Sequence, residues 1–420
     1  MMNQTVLVHL MIGSREKIDA IESMAELEDL ARAAGAQIVR KVFQTRSSPD
    51  ARTFIGEGKV DEIKTILNET GADLILFDQD LKPSQQRSLE QALDARVIDR
   101  TQLILDIFAR RARSNEGKMQ VELAQLNYLL PRLTGKGKTL SRLGGGIGTR
   151  GPGETKLESD RRRIEARIAR IRHDVKAVAK RRAGQRRSRK ESLVPLAALV
   201  GYTSVGKTTL FNRLAGESAF TSPQLFATLD PLVRRTSLPD GLPYFLSDTV
   251  GFVKRLPPAL LASFKATLEE VLEADLILHV VDLSAPNAEA QAKSVEKILA
   301  EIGAGGIPSV RVNNKIDRLP DRRALLARNE TAEGGVYLSA ATGDGLPALK
   351  NRIRSLLFQG LRLFYIRVPH NQEDIWASLR KRSLILKRRE GADYREARIM
   401  ADPSQIIDLS AYIVAGEPTW

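Results

Sequence analysis

The stretch "LAALVGYTSVGKTTLFNRLAG", residues 196–216, constrains the fold more than any other. It sets an apolar run, a glycine-bracketed loop and an amphipathic run end to end, which predicts strand, loop and helix. Gly201 and Gly206 bracket four residues, and Lys207 and Thr208 follow, the spacing of a phosphate-binding loop. Glycine at those places lets successive backbone N–H groups turn inward around the α- and β-phosphates of a nucleotide. The N-terminal end of the following helix adds positive potential. In this reading Gly201, Tyr202, Thr203, Ser204, Val205 and Gly206 form the cradle. Lys207 reaches the β- and γ-phosphates, and the Thr208 hydroxyl is a ligand for Mg2+.

Three shorter motifs follow in order. "YFLSDTVGF" places Asp248, Thr249, Val250 and Gly251 at the end of an apolar strand. Asp248 is suited to the magnesium shell and the Gly251 N–H to the γ-phosphate. "VRVNNKIDRL" gives Asn314, Lys315, Ile316 and Asp317, again leaving a strand. A carboxylate at Asp317 accepts from the N1–H and the exocyclic amine of guanine. Adenine lacks that donor pair, so the residue selects GTP over ATP. The Lys315 stem packs on the base plane. "VYLSAATGDG" brings Ser339, Ala340 and Ala341 to another strand end, where a backbone N–H can meet the guanine O6. Between the first two motifs lies "FATLD" (Phe226, Ala227, Thr228, Leu229, Asp230), and Thr228 is a second candidate Mg2+ ligand, engaged when the γ-phosphate is present.

The rest of the chain divides around this segment. Residues 1–110 alternate strand and helix patterns: "TVLVHL", "REKIDAIESMAELEDLARAAG", "QIVRKVF", "GKVDEIKTILNETG", "DLILF", "PSQQRSLEQAL" and "RVID". They predict an N-terminal α/β domain on a parallel sheet. "RKVFQTRSS" and "TFIGEGK" read as ordinary connections, with a role as ligand loops the alternative. In residues 111–192, Met119, Leu123, Leu126, Leu130 and Leu133 repeat at helix-seam spacing, and so do Ile164, Ile168, Ile171, Val175 and Val178. Pro131 should end or kink the first helix near Leu130. The two seams predict an antiparallel helical hairpin with a glycine-rich tip over residues 134–156. Its second arm should open near Leu157 and run out into a basic, flexible linker, "KRRAGQRRSRKES". Residues 193–360 form the nucleotide domain, and residues 361–420 read as strand, helix, strand, strand, a small α+β domain with Trp376 in its core. The fold class is multidomain α/β.

Composition narrows the function. At 420 residues the chain suggests about three domains. It has no cysteine, which excludes disulfides, thiolate nucleophiles and cysteine-bound zinc, and fits a reducing compartment. No two of the four histidines are spaced as metal ligands. No apolar run approaches the roughly 20 residues that span a bilayer, and the N-terminal residues lack a signal-peptide pattern. A cytoplasmic, monomeric protein without stable membrane insertion is expected. The net charge is +14, and residues 110–190 carry 24 Lys and Arg against 7 Asp and Glu. The remainder is slightly acidic, so the whole basic excess sits in the hairpin segment. Such a block implies a polyanionic partner.

Taken in order, the four motifs resemble the G domain of translation-factor-related GTPases. The whole chain resembles the HflX GTPases of the Obg-HflX group. The resemblance is carried by "TFIGEGKVDEI", "GGGIGTRGPGETKLE", "GYTSVGKTTLFN", "LFATLDP", "DTVGF" and "NKID", within about residues 1–360. It implies GTP hydrolysis with Mg2+ and binding to the large ribosomal subunit and its RNA, with ribosome splitting under stress. The first domain and the hairpin would touch RNA, and the G domain would gate that contact. A switch acting on a non-ribosomal RNA, or a regulatory protein at an anionic membrane surface, are the alternatives. Two positions depart from the pattern. Phe252 stands where some related GTPases carry a water-orienting glutamine, and a phenyl ring cannot orient water by hydrogen bonding. The catalytic residue is therefore unassigned, and hydrolysis by the protein alone should be slow. Ser204 stands where related GTPases often have asparagine, which in some helps hold potassium. Its shorter reach implies no potassium requirement.

A second glycine cluster, Gly146-x-Gly148-x-x-Gly151, fits the dinucleotide-turn pattern but lacks its setting. "TGKGKTLSR" before it is no core strand, and no helix opens within it. Its flanking cations Lys136, Lys138, Arg142, Arg150 and Lys156 instead make it the expected RNA-facing tip.

Overall fold

A computed structural model describes residues 4–13, 17–133, 152–191, 193–216, 232–254, 270–331 and 335–414. These fall into two compact units. One contains the described residues up to 177 together with 253 and 254, and the other contains the rest.

In the first unit the expected alternation is present. The elements are β1 (Gln4–Ile12), α1 (Lys17–Ala33), β2 (Gln37–Arg46), α2 (Glu57–Thr70), β3 (Leu74–Phe77), α3 (Pro83–Leu93), β4 (Arg96–Asp99) and α4 (Arg100–Arg111). The strands lie in the order β2-β1-β3-β4, every pair parallel. Alternation along β1 sends Val6, Val8 and Leu10 into a cluster with Val60, Ile63 and Leu67 of α2 and Leu89 and Leu93 of α3. Each such side chain contributes roughly 1.5–3 kcal/mol on burial. The loop containing "TFIGEGK" is a tight connection. Its Gly56 N–H donates to Gln44 Oε1 at 3.0 Å, and a Cβ there would lie 2.3 Å from an Arg46 guanidinium nitrogen. Helix α4 has no counterpart among the elements read from the sequence. It follows β4 without a linker because Asp99 ends the strand and also caps the helix, accepting from the Gln102 N–H at 2.9 Å.

A buried ionic cluster sits beside this core. Arg100, 2% exposed, meets Asp78 and Glu26, each at 2.7 Å. Asp78 also bonds His9 Nδ1 at 2.8 Å and accepts from Ser23 Oγ at 2.6 Å. Burial alone would raise the Asp78 carboxyl. The His9 bond and the Arg100 charge outweigh it and hold the group at about 2. The Lys254 carbonyl accepts from Arg100 at 3.1 Å, and its Nζ pairs with Asp19.

Helix α5 (Asn115–Leu129) ends where Pro131 predicts. Its deepest face is Gln120, Val121, Ala124 and Tyr128, because α4 lies against that side. The expected seam of Met119, Leu123, Leu126, Leu130 and Leu133 is only half-buried. Helix α6 (Pro152–Glu191) corrects two expectations. It starts at Pro152 rather than near Leu157, since proline at the first helical position gives up an N–H that has no partner there. It also continues through the supposed linker, whose Lys, Arg, Ala and Gln are strong helix formers. Ile168 and Ile171 of its seam are buried, while Ile164, Val175 and Val178 are half-buried. Arg167 ties α6 to α5 through two bonds to Glu122, at 2.7 and 2.8 Å.

In the second unit, β5 (Leu196–Gly201), α7 (Lys207–Ala215), β6 (Leu232–Ser237), β7 (Pro243–Asp248), β8 (Leu276–Asp282), α8 (Ala288–Glu301), β9 (Ser309–Asn314), α9 (Arg322–Ala327), β10 (Val336–Tyr337) and α10 (Leu346–Leu357) follow in turn. The sheet order is β10-β9-β8-β5-β7-β6, parallel except for the β6–β7 pair. Every residue of β5 is buried, as a central parallel strand requires. The chain ends with β11 (Arg362–Pro369), α11 (Glu373–Arg382), β12 (Leu384–Glu390), β13 (Tyr394–Ala401) and a 3-10 segment, Pro403–Tyr412. These strands form an antiparallel sheet in the order β11-β13-β12, and Trp376 lies in its core.

Candidate nucleotide site

Strands β5, β7, β9 and β10 bring the sequence motifs to one end of the six-stranded sheet, where an open α/β sheet binds its ligand. Two glycines of the loop are required by close approach. A Cβ on Gly201 would lie 2.3 Å from the Val280 carbonyl oxygen of β8, and one on Gly206 would lie 2.4 Å from Asn314 Nδ2. Gly206 also has φ +97°, which L side chains rarely adopt. Lys207 Nζ turns back into the loop and donates to the Gly201 and Tyr202 carbonyls at 3.0 and 2.7 Å. Burial pulls its ammonium down to about 8, with Asp248 opposing the fall.

One side chain joins three of the motifs. Asn314 Nδ2 donates to the Val205 carbonyl at 2.8 Å, and its Oδ1 accepts from the Ala340 N–H at 2.9 Å. Lys315, at φ +64°, donates to the Ser204 carbonyl at 2.7 Å and pairs with Asp282 at 2.6 Å. Ile316 is buried and anchors a short 3-10 turn, from which Asp317 is exposed. Asp282 and Arg213 were not singled out by the sequence motifs. Arg213 of α7 donates to the Ala340 and Ala341 carbonyls at 3.2 and 2.6 Å and so holds the Ser339–Ala341 turn. Asp282 carried a sequence signal, since it ends an apolar strand as Asp248 does.

The Thr208 hydroxyl donates to Asp248 Oδ2 at 2.8 Å. A hydroxyl beside a carboxylate, with no group of three or more His, Cys, Asp or Glu around a common point among the described residues, is a poor cage for a metal alone. It suits Mg2+, which takes one or two protein oxygens and completes its shell with phosphates and water. Gly251 lies against the loop, where an added Cβ would be 2.8 Å from Thr203 Cγ2 and 3.1 Å from Lys207 Nζ. Beyond it, Phe252 is zipped to the loop. Its N–H donates to the Gly201 carbonyl at 3.1 Å, and its carbonyl accepts from the Thr203 N–H at 2.8 Å. The Phe252 side chain is buried. Thr249 Oγ1 donates to the Leu199 carbonyl, fixing the strand end, and Val250 is half-buried. Phe226, Ala227, Thr228, Leu229 and Asp230 lie outside the described residues, as do Lys136, Lys138, Arg142, Arg150 and the side chain of Lys156.

Three family models cover the chain in succession. They are a GTP-binding GTPase N-terminal model over residues 21–109, a GTP-binding GTPase middle-region model over 111–189, and a 50S ribosome-binding GTPase model over 196–315. A GTPase HflX of Alkalihalophilus pseudofirmus is 46% identical over 89% of this chain and 87% of its own length. This chain belongs to the HflX GTPase family. The HflX of Escherichia coli is 44% identical, over 87% of this chain and 85% of its own. A crystal structure titled as a complex of SsGBP with GDP is 25% identical and covers 85% of this chain and 99% of its own, with a TM-score of 0.45. The chain is thus a P-loop GTP hydrolase of the HflX type, with the multidomain α/β fold expected of it. None of the helices among the described residues is long and apolar enough to cross a membrane.

Proposed function

We propose that this HflX-family GTPase binds the large ribosomal subunit through its RNA and uses the GTP state to set that binding, including ribosome splitting under stress. The observation that carries the reading is α6. Arg161, Arg162, Arg163, Arg170, Arg172 and Lys176 are exposed along it, in the segment that holds the whole basic excess of the chain. A continuous exposed cationic helix is an electrostatic footprint for a phosphate backbone. The 50S ribosome-binding description of the matching G-domain model supports the same partner.

Within the G domain, the backbone of Gly201–Gly206 cradles the phosphates, Lys207 neutralises them and Thr208 holds Mg2+, with Asp248 in the metal's outer shell. Mg2+ supplies charge neutralisation at the β- and γ-phosphates. Asp317 reads the guanine edge, and the turn at Ser339–Ala341, held by Asn314 and Arg213, presents an N–H to its O6. Thr228 would be a further ligand for Mg2+ in the GTP-bound state. The protein works as a cytoplasmic monomer, with residues 1–110, 111–192, 193–360 and 361–420 as its domains.

The buried Phe252 ring offers no hydrogen bond to an attacking water. Hydrolysis by the chain alone is therefore slow, and the missing group or ordering comes from the ribosome. Steady-state GTP hydrolysis measured with and without purified large subunits tests this. A rise of at least about tenfold is expected, because positioning a water is a step of that size or more. A rate unchanged by large subunits contradicts the reading.

A further inference from the structure

The small C-terminal sheet has two unlike faces. Ile366 and Val368 of β11 and Ala397, Ile399 and Ala401 of β13 point to the side covered by α11 and the 3-10 segment. The alternate residues face the other way. The strand register lines them up in two rows across the sheet: Tyr365, Arg398 and Lys387, then Arg367, Glu396 and Arg389. Among the described residues, four cations and one carboxylate therefore share this face. Glu396 is buried and accepts two hydrogen bonds from Arg367, at 3.0 and 2.7 Å. The Arg367 guanidinium also lies 4.4 Å from the centre of the Tyr394 ring. Arg367, Lys387 and Arg389 are exposed, and Tyr365, Tyr394 and Arg398 are half-buried. The patch stops where Leu384 and Met400 become buried.

We propose that this face is a second RNA-contacting surface, which takes a single-stranded segment of RNA. Lys387 and Arg389 stand two residues apart on one strand, about 7 Å, and so track successive backbone phosphates. Tyr365 offers a ring for a base to stack on. Cations along a groove with aromatic platforms among them are what binds a single strand without reading its sequence. Charge complementarity selects the class of partner, since among the described residues this face carries four cations and one carboxylate. The surface is built from other elements than the cationic helix on which the proposed function rests. Lys and Arg on an edge strand such as β12 also guard against edge-to-edge pairing. That role asks for neither the tyrosines nor a preference for one face.

The test measures binding of the full-length protein to a labelled oligouridylate of about 12 nucleotides over a range of salt concentrations. The Lys387→Gln/Arg389→Gln protein should bind at least about tenfold more weakly near physiological salt. The slope of log affinity against log salt should become shallower by about 1.4, two phosphate contacts at roughly 0.7 each for a single strand. Arg388→Gln, on the same strand but the opposite face, should change neither, and GTP hydrolysis without RNA should be unaltered in both. Tyr365→Leu should weaken binding while leaving the slope in place. An unchanged slope in the double variant overturns the proposal, as does an equal loss in Arg388→Gln. So does a double variant that self-associates while binding RNA normally, which would assign these cations to edge protection. Loss of binding to phosphatidylserine vesicles with RNA binding intact would assign the face to a membrane and overturn it too. A slope near zero in the unsubstituted protein would count against the cationic helix as well, whereas a steep slope that the double variant keeps counts only against this face.

Discussion

Lys207 shows how tightly the phosphate loop is arranged around one cation. Its ammonium is buried, held by two carbonyls of its own loop, and lowered to about 8 chiefly by desolvation. Phosphates favour the charged form, so nucleotide binding draws a proton onto any neutral Lys207. Below about pH 8 the charge is already present, and affinity is flat. Above it the protonated form falls away, and the Kd for GDP should rise by about fivefold between pH 8 and pH 9 and by nearly tenfold for the next unit. Titration calorimetry in two buffers of different ionisation enthalpy reads both the Kd and the proton uptake. A constant Kd with no uptake across this range would contradict the assignment. The motif residues were legible in the sequence because each chemistry needs its residue type at its spacing. Asn314 was legible as a motif member, but its role in joining Val205 to Ala340 was not, since that depends on strands β5, β9 and β10 meeting. Arg213 was hidden for the same reason. Nothing in "TTLFNRLAG" marks an arginine that will hold a turn about 130 residues away.

At the scale of elements, α6 depends on a narrow apolar contact. Ile168 and Ile171 are its fully buried residues among those described, while its cations face solvent. Truncating a buried isoleucine costs about 2–5 kcal/mol, whereas the exposed Arg167–Glu122 pair is screened by solvent and contributes little. Ile168→Ala/Ile171→Ala should therefore speed hydrogen exchange along residues 158–177 by at least about tenfold and leave GDP affinity unchanged. Glu122→Ala should barely alter exchange. Equal effects from the two changes would mean that the ion pair, not the apolar seam, holds the helix. The period of the second seam was readable because its other positions are charged. The first seam misled, since α5 packs on α4, an element whose start is fused to the end of β4. The helical continuation through "KRRAGQRRSRKES" was not legible, because a dense run of like charge is also the mark of a flexible linker. Gly184 costs only about 1 kcal/mol in a helix, and its neighbours are good helix formers. The start of α6 at Pro152 removes one argument against a dinucleotide turn at Gly146–Gly151. The lack of an apolar strand in "TGKGKTLSR" remains.

At the scale of the whole molecule, the proposed function requires a nucleotide switch and a cationic region that binds RNA in one chain. Neutralising Arg142, Arg150 and Lys156 should weaken ribosome association and leave GTP affinity largely intact, because their charge belongs to the basic segment of the sequence and none of them is part of the phosphate-loop or guanine motifs. The most direct measurement is sedimentation of the purified protein with large ribosomal subunits, compared with a non-hydrolysable GTP analogue, with GDP and without nucleotide. The proposed function requires strong co-sedimentation with the analogue and at least about tenfold weaker association in the other two states, the size of an ordinary allosteric coupling. Equal association in all three states would contradict it.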